Sequence, residues 1–77
     1  NGVEKNITEA LKLLHEAADR GNTKAQNLLG ECYEKGEGVE MDISEALKRY
    51  KSAADGGNSD GANNYQRLSQ QTTAESV

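Results

Sequence analysis

The chain has no tryptophan and no phenylalanine, and tyrosine is its only aromatic, at Tyr33, Tyr50 and Tyr65. A core built on large rings is excluded, and leucine, isoleucine, valine and alanine must do the packing. One cysteine, Cys32, rules out an internal disulfide framework. It leans toward a reducing, cytoplasmic setting, with a lumenal or secreted parent left open. No run approaches the roughly 18 apolar residues needed to span a bilayer. Basic residues do not cluster, and the net charge is −4 with a pI near 4.9. That balance disfavours nucleic acid, whose recognition rests on phosphate neutralisation. With 77 residues there is at most one domain. A chain this short buries only about 60% of its unfolded surface, so stability should be low unless a neighbour covers exposed faces.

What the chain does contain is a copy of itself. Val3-Glu4, Ile7, Glu9-Ala10-Leu11-Lys12, Ala17-Ala18-Asp19 and Gly21-Asn22 return as Val39-Glu40, Ile43, Glu45-Ala46-Leu47-Lys48, Ala53-Ala54-Asp55 and Gly57-Asn58, at a constant offset of 36 residues. A period of about 20–50 residues marks stacked repeats, each one a supersecondary unit that leans on its neighbour.

Ile7, Ala10, Leu11, Leu14, Ala17 and Ala18 form one apolar stripe at helical spacing, and Ile43, Ala46, Leu47, Tyr50, Ala53 and Ala54 repeat it. Asn6 before Glu9 and Asp42 before Glu45 predict matching capping boxes at the helix starts. Gly21 and Gly57 predict left-handed C-terminal caps. Between these helices a third is expected over Thr23–Lys35, with Ala25, Leu28, Leu29, Cys32 and Tyr33 on one face. Gly30 sits inside it, where glycine costs up to ~1 kcal/mol relative to alanine, so a neighbouring helix is expected to approach closely there. Gly36-Glu37-Gly38 supplies a turn that makes neighbouring helices antiparallel. A fourth helix, about Ser59 to Ser69, should carry Ala62, Tyr65 and Leu68. Residues 70–77 have little apolar content and are expected to be a disordered polar tail.

From Ala25 to Gly57 the chain resembles one complete Sel-one-like repeat, a relative of the tetratricopeptide repeat. The matching residues are Ala25, Leu29, Gly30, Tyr33, Gly36, Gly38, Val39, Asp42, Ala46, Tyr50, Ala53, Ala54 and Gly57. Residues 2–21 resemble the second half of a preceding repeat, with Asn6 at the Asp position and Leu14 at the Tyr position. Residues 59–69 resemble the degenerate first half of a following one, with the polar face of a capping helix. The chain reads as an excised piece of a longer protein. The resemblance implies an all-α fold, a short right-handed α-α superhelix of about four antiparallel helices over residues 1–69. It also implies adaptor duty, of the kind family members perform in degradation at the endoplasmic reticulum, cell-wall regulation, bacterial signalling or beside kinases. The position before Tyr50, often a large aromatic in the family, is Arg49 here and Leu13 in the earlier copy.

Chemistry is hard to place. His15 is the only histidine and has Lys51 as its counterpart, so it is expected to face solvent, with no metal-binding or nucleophilic partner at helical spacing. Cys32 falls on the apolar face between Glu31 and Glu34, which suits a core thiol better than a reactive one. Glu31, Glu34, Glu37 and Glu40 lack calcium-loop spacing, and the glycines lack a phosphate-loop context. Asn6-Ile7-Thr8 matches the N-glycosylation pattern, although Asn6 is equally a helix cap. Glu75-Ser76-Val77 could add to a carboxylate-binding groove. No catalytic, cofactor or metal site is expected.

The remaining reading is a surface. Lys24, Asn27, Glu31 and Lys35 on the second helix and Asp60, Asn63, Asn64 and Arg67 on the fourth are the expected partner contacts. The expected function is a non-catalytic protein–protein interaction module binding a protein or peptide. The alternatives are a structural cap of a longer array and a cis-regulatory domain of an attached enzyme such as a kinase. Leu11, Leu13 and Leu14 cannot all be covered within the chain, so self-association through the first helix is a further expectation.

Overall fold

The computed structural model describes the backbone of residues 2–76 and the side chains of residues 7–71. Four helices follow one another: α1 (Gly2–Asp19), α2 (Thr23–Lys35), α3 (Ile43–Asp55) and α4 (Ser59–Ser76). No strand occurs among the described residues.

Local hydrogen bonds explain the punctuation. The Asp42 carboxylate accepts from Glu45 N at 3.1 Å and starts α3. Asn22 and Asn58 start α2 and α4 in the same way, accepting from Ala25 N at 3.0 Å and Gly61 N at 2.8 Å. Asn22 and Asn58 are themselves repeat counterparts. α1 and α3 end on identical turns. Asn22 N reaches back to Ala17 O at 3.0 Å and Gly21 N to Ala18 O at 2.9 Å; Asn58 N and Gly57 N do the same to Ala53 O and Ala54 O. This double closure requires a left-handed residue, and Gly21 and Gly57 supply φ of +93° and +96°.

Two expectations about helix length need correction. α1 begins at Gly2, so Asn6 lies inside the helix and is not its cap. Val3, Glu4 and Lys5 contain no breaker, and the helix propagates upstream through them. The side chain of Asn6, and with it the glycosylation question, lies outside the described residues. Residues 70–76 were expected to be disordered, yet α4 runs to Ser76. Gln70, Gln71, Ala74 and Glu75 are adequate helix formers with no glycine or proline among them. An Arg67–Gln71 hydrogen bond of 3.4 Å spans one turn of the extension. The side chains of Glu75 and Ser76, and all of Val77, lie outside the described residues.

Packing follows the repeat. α2 is the central element, in contact with α1, α3 and α4. One core cluster joins Leu11 and Ala18 of α1 to Ala25 and Leu29 of α2, with Leu14, Ala17, Cys32 and Val39 around it. A second joins Ala46 and Tyr50 of α3 to Leu68 of α4, flanked by Tyr33, Ile43, Leu47 and Tyr65. Leu29 and Tyr50 are completely buried. The core stripe of α4 differs slightly from expectation. Gly61 and Leu68 are buried and Tyr65 is half-buried, whereas Ala62 is exposed. Gly61 stands where α2 has Ala25, and a Cβ there would lie 2.5 Å from Ala53 Cβ. The polar turn of sequence that looked degenerate is therefore a close contact between α3 and α4.

Gly30 behaves as its position predicted. A Cβ at this residue would fall 2.5 Å from both Cδ1 and Cε1 of Tyr50, so the ring packs directly against α2 where only glycine leaves room. The Cα extents are 42 × 26 × 14 Å. The short dimension fits two helix layers at the usual interaxial spacing of about 8–10 Å.

Candidate interaction surface

α2 and α4 lie side by side on one face, and a polar network ties them. Asn64 Nδ2 donates to Asn27 Oδ1 at 2.8 Å. Asn27 Nδ2 in turn reaches Glu31 Oε2 at 3.5 Å, the outer limit of a hydrogen bond. One turn further on, Arg67 forks onto Glu34, with Nη1 to Oε2 at 2.9 Å and Nη2 to Oε1 at 2.8 Å. Glu34 also accepts from the Tyr50 hydroxyl at 2.6 Å. Three helices thus meet at one carboxylate.

The expected contact residues divide into three groups. Asn27, Glu31, Asn64 and Arg67 come together in this network. Lys35, Asp60 and Asn63 are exposed at its margin. Lys24 is exposed elsewhere, on the rim of a groove between α1 and α2. Asn27 departs from the expectation of a solvent-facing side chain: it is buried, with 7% of its surface accessible. It holds α2 to α4 because a buried amide must find partners, and Asn64 provides one. Arg67 keeps 45% of its side chain exposed, against 17% for Glu34. An ion pair so open to water contributes little stability, about 0–1 kcal/mol.

Glu34, with the buried Tyr50 hydroxyl beneath it, completes this network, and neither was among the residues expected from the sequence. A buried tyrosine hydroxyl needs a polar partner. That requirement was visible in the sequence, but the partner, sixteen residues away, was not. The environment sets their protonation. The hydrogen bonds from Arg67 hold the Glu34 carboxyl below its ordinary range, against the opposing effect of burial. Burial, then the bond to Glu34, pushes the Tyr50 phenol far above its ordinary value. Both groups keep one charge state across physiological pH, so the network is a fixed tie.

The other reactive side chains have structural surroundings. His15 is half-buried and not solvent-facing as expected: its ring meets Tyr33 edge-on, with centroids 6.4 Å apart and planes at 79°. Cys32 is half-buried, and burial followed by Glu37 and Glu31 raises its thiol pKa. A raised thiol is a poor nucleophile. Among the described residues no group of three or more His, Cys, Asp or Glu side chains could hold a metal ion. No described helix is long and apolar enough to cross a membrane.

Comparison with known families agrees with the repeat architecture. The model of the Sel1 repeat matches residues 1–22 and again residues 23–58. The second match spans α2, the turn and α3; the first ends at the glycine turn that closes α1. Sel1 repeats form all-α superhelices and serve in general as non-catalytic protein–protein interaction modules. No solved structure matches the chain. The periodic sequence, the paired helices and the family match together place this chain in the Sel1 repeat family.

Proposed function

We propose that this chain is a non-catalytic adaptor module that recognises a protein or peptide across the face shared by α2 and α4. The observation that supports this most is the tie between those helices. Asn27–Asn64 and Glu34–Arg67 hold two rows of polar side chains in fixed register, leaving Lys35, Asp60 and Asn63 outward and unburied. A preorganised polar face loses less entropy on binding than a mobile one. The face carries both signs of charge, in Glu34, Lys35, Asp60 and Arg67, which suits a mixed-charge peptide better than a nucleic acid.

The test is peptide-display selection on the intact chain, repeated on the triple variant Lys35→Ala, Asp60→Ala, Asn63→Ala. These side chains are exposed, so the fold should survive. Peptides that enrich on the chain and lose binding to the variant are the expected result. No enrichment, or enrichment blind to the variant, would refute the assignment. A second reading is a structural cap, supported by the exposed polar side chains of Asp60, Asn63, Gln66 and Gln70 on α4. Selection without enrichment would favour it.

A further inference from the structure

The loop between α2 and α3 changes in chemistry from one copy of the repeat to the other. Val39-Glu40-Met41-Asp42 corresponds to Val3-Glu4-Lys5-Asn6. The second copy has exchanged a cation for a thioether and a neutral amide for a carboxylate. Tyr33, whose counterpart on α4 is Ser69, adds an aromatic ring. The fold brings these positions together. Tyr33, Val39, Glu40, Met41 and Asp42 line an open cavity of about 470 Å³. That volume lies within the range of ligand sites, roughly 300–1,000 Å³.

The wall of this cavity is fixed, although it is a loop. Gly36 N and Glu37 N both donate to Cys32 O, at 2.8 and 2.9 Å, and Asp42 N donates to Tyr33 O at 2.9 Å. Gly38, at φ +73°, packs so closely on α1 that a Cβ would overlap Ile7 and Leu11. Met41 Cβ lies 3.3 Å from the place a Gly36 Cβ would take, so the loop closes on itself. Val39 and Tyr33 are anchored in the two core clusters, but Met41 belongs to neither and is 62% exposed. A wall held in this way loses little entropy when a ligand enters.

The lining selects its ligand. Two carboxylates and no cation repel an anion. Among the described residues no lysine or arginine pairs with Glu40 or Asp42. Asp42 gives Oδ1 to Glu45 N as the helix cap, which leaves Oδ2 for another donor. A purely apolar ligand would strip water from both carboxylates without replacing it. No metal-holding group of His, Cys, Asp or Glu includes these residues. What fits is a cation with an apolar stem. A guanidinium forks onto carboxylates and stacks on a tyrosine ring, and its methylene stem suits an adaptable thioether. We infer that this cavity binds an arginine side chain of a partner protein, with the stem against Met41 and the guanidinium between Tyr33 and the carboxylates of Glu40 and Asp42. No residue of the α2–α4 network lines the cavity, and its ligand is independent of that face.

The experiment titrates the intact, nitrogen-15-labelled chain with N-acetyl-arginine methylamide, the arginine of a peptide without its neighbours. The amide signals of Tyr33 and of residues 39–42 should shift saturably, and less so as salt is raised. The citrulline analogue, which keeps the shape but not the charge, should bind about tenfold more weakly. The double variant Met41→Lys, Asp42→Asn restores the residues of the first copy and keeps a side chain able to cap α3. It should lose the shifts while the rest of the spectrum stays in place. Glu40→Gln, at an exposed position, should weaken binding in the same direction and serves if the double variant does not fold. No saturable shift at these residues, equal binding of the citrulline analogue, or binding that survives both variants would overturn the inference. Tighter binding of free arginine than of the capped form would also overturn it, because the ligand would then be a small molecule and not a partner's side chain.

Discussion

Gly30→Ala sets two effects of opposite sign against each other. Alanine is the better helix former, and the exchange is worth up to about 1 kcal/mol in favour of the variant. The added methyl would sit 2.5 Å from two ring carbons of Tyr50. Carbon atoms rest at about 3.5–4.0 Å, so ring or helix must retreat by about 1 Å. The ring has little freedom to do so. Tyr50 is completely buried, its hydroxyl is bonded to Glu34 at 2.6 Å, and Glu34 is gripped by the Arg67 fork. Overpacking in such a place costs about 1–3 kcal/mol, and a lengthened hydroxyl bond adds up to about 1 kcal/mol. The net expectation is a loss of about 1–3 kcal/mol, and Gly30→Leu should lose more than ~2 kcal/mol. Urea denaturation followed by far-ultraviolet circular dichroism measures it, with an unchanged slope expected. The control is the same change in a Tyr50→Leu background, which reproduces the Leu14 of the earlier repeat. There the ring is gone, and Gly30→Ala should become neutral or stabilising. A wild-type background that tolerates Gly30→Ala without loss, or a Tyr50→Leu background that makes no difference, would refute the argument.

Tyr50→Phe should cost about 1 kcal/mol in the same melts, because it removes one donor from Glu34 while the ring still fills its site. Glu34 has its folded-state pKa lowered below the ordinary 4.5, so its stabilising effect is complete above that value and disappears as pH falls through the folded pKa. The facing groups are Arg67, Tyr50 and Lys35, and the stability difference between the wild type and Glu34→Gln should therefore hold at neutral pH and shrink below pH 4.5. Cys32, half-buried and with its thiol pKa raised, should react more slowly with an aromatic disulfide reagent at neutral pH than after unfolding in urea; equal rates would mean the thiol is open to solvent.

Much of this fold is legible in the sequence because its rules are local. The stripe from Ile43 to Ala54 names the face of α3 that turns inward. Gly21 and Gly57 stop their helices because the closing turn needs a left-handed residue, and Asp42 starts one because its carboxylate reaches Glu45 N. Even the tight contact at Gly30 is announced by a glycine where a helix would prefer alanine. Other features depend on contacts distant in sequence. Asn27 looks like a solvent-facing amide until α4 brings Asn64 across to it, and Glu34 is one acid among several until Arg67 and Tyr50 converge on its two oxygens. Lys24 shares a helix with Lys35 but belongs to a different groove. Periodicity reports which side of a helix is covered. The crossing of α2 over α3 and α4 decides which polar groups meet, because hydrogen bonds are short and directional and only the assembled helices bring the partners within reach.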